Sequence, residues 1–158
     1  MKYIIAAAAL ASAKLTKTVI STPDAPGALG PYSQGIMMTN DNGEAVVYAA
    51  GQIGLDPKTG SLVEGGIETE TKQLMENIKA ILSAAGATME DILECNCLMA
   101  DLAEYDAFNK VYALYFDEEE APARAAFQVV MLPKGARAEV KCTAHFQQDT
   151  ASDAKFIQ

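Results

Sequence analysis

Three polar residues of this 158-residue chain stand where their types could do chemistry. Arg124 lies in a short run of small, apolar residues, and arginine is the side chain best suited to bidentate capture of a carboxylate. Glu139 lies in a strand-like segment, where a partly desolvated carboxylate can orient a water molecule or shuttle a proton. Tyr32 directly follows the rigid Gly30-Pro31 turn, which can hold its hydroxyl in place. These residues indicate a site for a small anion.

Each of the three also has a purely structural interpretation, and the residues alone leave both open. Arg124 could tie down the acidic segment at residues 118–120. Glu139 could be one member of a cross-strand charge ladder on a wet sheet face. Tyr32 could be a turn residue that packs on the core.

The cysteines and the histidine offer little further chemistry. Cys95, Cys97 and Cys142 are odd in number and lack CxxC spacing, a poor framework for disulfides or zinc. Cys95 and Cys97 share a strand face, which predicts core positions. His145 is the single histidine, and its alternating segment predicts an exposed strand residue. We therefore expect no metal site.

The charge balance bears on possible partners. The chain has 12 Lys+Arg against 21 Asp+Glu, a formal net charge of -9. An acidic surface repels phosphate backbones, so we expect no nucleic-acid partner. No apolar run approaches 18 residues, so we expect no membrane-spanning helix.

The first half of the chain must place Tyr32 through short strands and turns. Residues 18–20 predict a strand, and a turn-rich segment follows over residues 21–32. Residues 36–39 and 45–50 predict a hairpin around the Asn-Gly pair at 42–43. A single apolar stripe predicts a helix over residues 68–85, closed by Gly86.

The second half must place Arg124 and Glu139. Residues 92–99 predict a strand, and Asp101 is a candidate N-cap for a second helix. Residues 126–132 and 136–146 predict two more strands, the latter alternating clearly. This order predicts one α+β domain with both helices on one sheet face. The uncovered face predicts self-association.

Several motifs in one order carry a family resemblance. They are residues 25–34 (APGALGPYSQ), 50–54 (AGQIG), 108–112 (FNKVY), 122–126 (PARAA) and 132–136 (LPKGA), followed by Glu139. With these motifs the chain resembles the RidA family, also called YjgF or the L-PSP endoribonuclease-like proteins. The resemblance spans residues 18–146.

The resemblance implies a chorismate-mutase-like α+β fold with a mixed sheet. It also implies a homotrimer whose sheets line a central barrel, with active sites in clefts between subunits. The implied activity is hydrolysis of reactive 2-imino acids and their enamine tautomers to 2-keto acids and ammonia, which protects pyridoxal-phosphate enzymes. The implied substrates are 2-iminopropanoate and 2-iminobutanoate, and no cofactor is implied.

The resemblance also assigns roles by position. Arg124 would bind the substrate carboxylate, and Glu139 would hold the attacking water. Tyr32 and Asn109 would shape the pocket, and Gly51 would offer backbone contacts.

The chain departs from many bacterial members at two positions. Ala126 stands where those members have cysteine, which excludes a catalytic thiol there and alters the width of the pocket. Ala50 stands where they have serine before the glycine.

The two ends look like additions to the family domain. Residues 1–17 are predicted as an N-terminal extension, in which residues 1–13 mimic a short secretory signal. Residues 147–158 are predicted as a polar tail. We expect a cytoplasmic protein, or a secreted or organellar one if residues 1–13 are a targeting signal. The alternative functions are an endoribonuclease that inhibits translation, and a non-catalytic small-carboxylate binder or chaperone-like protein.

Overall fold

A computed structural model describes residues 14–148 of the chain. The predictions for residues 1–13, and for the tail beyond Gln148, lie outside the described residues. Within them, the strands are β1 (Thr16–Ile20), β2 (Gly35–Thr39), β3 (Glu44–Ala49), β4 (Gln52–Ile53), β5 (Ile92–Met99), β6 (Ala123–Gln128) and β7 (Ala138–Gln147). The α-helices are α1 (Ile67–Ala85) and α2 (Tyr105–Tyr112).

The strands form one mixed sheet in the order β1-β2-β3-β7-β5-β6, and β4 also pairs with β7. All pairings are antiparallel except that of β5 with β6, which is parallel. Among the described strands, β6 therefore lies at one edge of the sheet. Its neighbour β5 separates it from β7, the strand that carries Glu139.

Local sequence signals set the predicted turns and helix ends. The side-chain oxygen of Asn40 accepts hydrogen bonds from the backbone N–H groups of Asn42 and Glu44, which closes the β2–β3 hairpin. Helix α1 ends at Gly86, whose φ of 86° is left-handed and favours glycine. Asp101 caps the turn before α2 by accepting from Ala103 N–H at 2.8 Å. The hairpin, α1 and the Asp101 cap confirm the prediction.

The core lies between one face of the sheet and the two helices. The β7 residues that point into it are Ala138, Val140, Cys142 and Ala144, all of them buried as the alternating pattern predicts. Helix α1 packs its apolar stripe against this face through Leu74, Ile78, Ile81, Leu82 and Ala85. The α+β architecture with both helices on one face is thus confirmed.

The fold corrects two predictions. Strand β6 begins at Ala123 rather than 126 and ends at Gln128, so Arg124 lies inside the strand. The small residues around Arg124 hide the alternation that marks a strand. The prediction against disulfides was also wrong, because Cys95 and Cys142 are directly opposed on β5 and β7 and are bonded. Counting cysteines could not reveal this cross-strand pairing.

The sheet face away from the helices carries exposed apolar side chains. Tyr48, Leu93 and Phe127 are each about half exposed, and Val130 and Met131, just after β6, are exposed at 102% and 80%. No helix among residues 14–148 is both long enough and apolar enough to cross a membrane.

Candidate active site

Strand β6 and helix α2 together hold Arg124. Its Nη1 donates to Asn109 Oδ1 at 2.7 Å, and its Nη2 donates to Tyr105 Oη at 2.5 Å. Its Cζ lies 4.7 Å from the centroid of the Tyr112 ring, within the range of a cation–π contact. The helix residues that reach the strand are 105, 109 and 112, which share one helix face.

No carboxylate pairs with Arg124 within 4.0 Å in the part of the chain that the structure describes. The acidic segment at residues 118–120 therefore does not tie Arg124 down, and that structural interpretation was wrong. Both hydrogen-bond partners are neutral, so the guanidinium charge is not neutralised by its hydrogen bonds. It lines a cavity of about 690 Å³ together with Asn109 and Tyr112. This arrangement suits the binding of an external carboxylate.

Glu139 lies on the other face of the sheet, since its neighbours Ala138 and Val140 point into the core. The residues paired with it are Leu98 on β5 and Ile53 on β4. Both are apolar, so Glu139 is not part of a charge ladder at this level of the sheet. Burial raises the pKa of its carboxyl above the ordinary value.

Glu139 lines a cavity of about 360 Å³ with Tyr32 and Gly51. A Cβ built on Gly51 would fall 2.9 Å from Glu139 Cδ and 3.2 Å from Cγ, so glycine is what lets this side chain lie against the backbone. Tyr32 is half exposed, and its hydroxyl accepts from Leu29 N–H at 2.9 Å. Tyr32 therefore borders the cavity and does not pack into the core.

Buried polar side chains hold the segments that form this cavity. Gln34 donates to the carbonyls of Thr22, Ala25 and Pro26, which fixes the loop before Tyr32.

Helix α1 holds the other side of the cavity. Its Glu70 accepts from Arg137 N–H at 2.8 Å, two residues before Glu139. Its Asn77 donates to the carbonyls of Ile53 and Leu55, on either side of the end of β4. The helix thus fixes both strands beside the Glu139 carboxyl.

The predicted site residues divide into two groups. Arg124 and Asn109 lie on the helix face of the sheet, whereas Glu139, Tyr32 and Gly51 lie at a cavity on the opposite face. One chain therefore does not bring Arg124 and Glu139 together. A further groove of about 790 Å³ between α1 and α2 contains none of them.

The remaining candidates are placed as follows. Ala126 is half-buried against the core beside Cys97, and it lines neither the Arg124 cavity nor the Glu139 cavity. Cys97 is buried, and burial raises the pKa of its thiol to about 11, which suits a core position. His145 is exposed on β7, as predicted. Among residues 14–148, no group of three or more His, Cys, Asp or Glu residues is placed to hold a metal ion.

Sequence reasoning missed the roles of Tyr105 and Tyr112 at Arg124. Both pack against the core, which is the position of ordinary buried aromatics. The signal that could have found them is their spacing around Asn109, at one turn before it and nearly one turn after it.

The chain is similar to known proteins in both sequence and fold. A family model described as endoribonuclease L-PSP matches residues 22–146. The chain is 43% identical over 130 residues to the human 2-iminobutanoate/2-iminopropanoate deaminase, covering 82% of this chain and 90% of that protein. It resembles the structure of Escherichia coli TdcF with bound serine, with a TM-score of 0.73 at 36% identity, covering 82% and 99% of the two chains. It also resembles RidA from a Psychrobacter species, with a TM-score of 0.74 at 39% identity over 82% and 99%.

Proposed function

The chain belongs to the endoribonuclease L-PSP family, and from that premise we propose that it is an imine deaminase. It hydrolyses small 2-imino acids, such as 2-iminopropanoate and 2-iminobutanoate, to 2-keto acids and ammonia. The observation that carries the proposal is the Arg124 guanidinium, held by two neutral side chains at the wall of a cavity. Such a group is prepared for a carboxylate that arrives from solution.

The reaction needs a second group to activate water, and Glu139 supplies it. The Glu139 carboxylate takes a proton from water as the water oxygen adds to C2 of the protonated imine. It returns that proton to the nitrogen, the C2–N bond breaks, and ammonia leaves. The remaining hydroxyl then loses its proton to the released ammonia, which gives the keto acid and an ammonium ion. The raised pKa of Glu139 lies nearer to the operating pH, which favours proton transfer both to and from its carboxylate.

We propose that two chains complete each site. Arg124 and Asn109 come from one subunit, and Glu139, Tyr32 and Gly51 come from the partner. The division of these residues between the two faces of the sheet supports this arrangement. So do the exposed apolar side chains on the Glu139 face, which a partner would cover. A homotrimer closes such an arrangement with every interface alike.

The test is the release of 2-oxobutanoate from 2-iminobutanoate that an amino-acid oxidase generates in the assay. We expect the protein to accelerate release, and Arg124→Ala to lose nearly all of the acceleration. The matched control is Arg137→Ala, because Arg137 is the chain's second arginine and is paired with Glu70 and Glu104. The control should lose stability but keep turnover. Wild-type rates in Arg124→Ala would refute the proposal for Arg124.

The two alternative functions are an endoribonuclease and a non-catalytic carboxylate binder. An endoribonuclease would need a basic groove. The one local basic cluster is Lys134, Arg137 and Lys141, and its Arg137 is engaged by acidic side chains. A non-catalytic carboxylate binder would use Arg124 in the same way. Binding of 2-oxobutanoate without turnover would favour that function.

A further inference from the structure

Tyr105, the first residue of α2, contacts Arg124 through both its hydroxyl and its ring. Its Oη accepts from Arg124 Nη2 at 2.5 Å, and the Arg124 Cζ lies 5.5 Å from the centroid of its ring. The pairing of β5 with β6 places Arg124 beside the buried Cys95, so the arginine leaves the sheet on the helix side. Tyr105 therefore meets the guanidinium on the helix side of the sheet.

Tyr105 and Asn109 fix the guanidinium without using up its donors. A guanidinium has five N–H donors in a planar fork. Asn109 takes one from Nη1 and Tyr105 takes one from Nη2, so one N–H remains on each terminal nitrogen in addition to Nε–H. Two parallel N–H groups are what a bidentate carboxylate needs.

Acidic residues near Arg124 are alternative partners that a restrained guanidinium does not reach. Asp117 and Glu118 line the same cavity as the guanidinium, so acidic side chains lie within the region that a released arginine could search. Tyr105 does not line that cavity, whereas Asn109 and Tyr112 do. It therefore acts on the guanidinium from behind, away from the space that a ligand would fill.

From these contacts we infer that Tyr105 is a positioning residue, whose hydroxyl holds the Arg124 guanidinium in the orientation that binds the substrate carboxylate. The inference rests on the proposed function only for the identity of the carboxylate. Its core, that Tyr105 prepares Arg124 for a 2-keto or 2-imino acid, is a statement about binding and can be measured without turnover.

Tyr105→Phe removes the hydroxyl and keeps the ring, so the aromatic contact with Arg124 remains. The matched control is Tyr115→Phe, because the Tyr115 hydroxyl donates to Glu76 and to the Lys72 carbonyl on α1 and not to any partner of Arg124. Each variant therefore loses one tyrosine hydroxyl that makes a side-chain hydrogen bond. Circular dichroism and thermal unfolding check that each is folded.

The first measurement is the Kd of 2-oxobutanoate, the unreactive product, by titration calorimetry. For Tyr105→Phe we expect Kd to rise about tenfold, the equivalent of roughly 1.4 kcal/mol. The KM for 2-iminobutanoate should rise by a similar factor, with kcat within about twofold of wild type. Tyr115→Phe should bind 2-oxobutanoate as wild type does.

The outcomes separate this inference from the proposed function. If wild type binds 2-oxobutanoate but shows no turnover, the proposed function fails, and a weaker Kd in Tyr105→Phe still supports the inference. If Tyr105→Phe binds 2-oxobutanoate as tightly as wild type, the inference is overturned. It is also overturned if kcat falls while Kd is unchanged, or if Tyr115→Phe weakens binding equally. A wild type that binds no 2-oxobutanoate would overturn the role of Arg124 and that of Tyr105 with it.

Discussion

Replacing Gly51 with alanine tests whether the position of the Glu139 carboxylate controls the rate. The φ of Gly51 is outside the left-handed range, so its backbone can accept an alanine. The added Cβ would lie 2.9 Å from Glu139 Cδ and closer still to Oε1. The substitution therefore moves Glu139 without changing its chemistry.

The expected loss follows from the size of that movement. Carbon atoms approach favourably to about 3.5–4.0 Å, so Cδ must withdraw by roughly 0.6–1.1 Å. A misplacement of about 1 Å can cost on the order of 100-fold in rate. We therefore expect Gly51→Ala to lower kcat by about 100-fold, the equivalent of about 2.7 kcal/mol in activation free energy.

The assay is steady-state release of 2-oxobutanoate from 2-iminobutanoate, with thermal unfolding measured in parallel. Gly27→Ala is the matched control, because a Cβ at Gly27 meets nothing within 4 Å and should leave kcat unchanged. The two substitutions are then combined with Glu139→Gln. If Gly51→Ala acts through the carboxylate, it should cost little more in the Glu139→Gln background.

Two results would refute this reasoning. The first is a kcat for Gly51→Ala within about threefold of wild type in a folded protein. The second is an equally large loss when Gly51→Ala is added to Glu139→Gln, because that loss could not pass through the carboxylate.

Four other predictions concern Arg124, the pH profile, the disulfide and the sheet face away from the helices. Arg124→Lys should raise KM at least tenfold, because lysine cannot offer a planar bidentate fork; an unchanged KM in the deaminase assay would contradict this. Burial raises the Glu139 pKa, and the proposed mechanism uses the carboxylate, so kcat/KM should fall with decreasing pH at a higher pH than for an ordinary glutamate; Glu139→Gln should lose this acidic limb of the pH profile and most of the rate. Reducing the Cys95–Cys142 bond, which spans 47 residues, should lower the free energy of unfolding by about 4 kcal/mol; equal urea midpoints with and without reductant would count against it. If the protein forms the proposed oligomer, Phe127→Asp should give a monomer, detected by native mass spectrometry, and abolish turnover; an active monomer would exclude the two-chain site.

Much of the fold could be predicted because its signals are local. The alternation of residues 138–146 depends on the two-residue period of a strand, and it identified the buried side of β7. The stripe of α1 depends on the helical period and gave the helix to within one residue. Residue type and context also selected Arg124 and Glu139 as site residues, and their roles stay predictions.

The pairing of distant segments could not be predicted in the same way. The parallel partner of β5 is β6, and nothing local to residues 123–128 specifies it. The same pairing starts β6 before Arg124, in a run of alanines with no alternating pattern. The disulfide between Cys95 and Cys142 depends on register across two strands, which cysteine spacing does not contain.

By itself, the sequence determined which elements form and which side chains could do chemistry, because periodicity and residue type are properties of short segments. Only the tertiary structure decided what those side chains contact. It placed Glu139 against the α-carbon of Gly51, which raises its pKa by burial, and it set Arg124 among Tyr105, Asn109 and Tyr112. It also put the two groups on opposite faces of one sheet, because β5 and β7 pair side by side and successive strand residues alternate between faces.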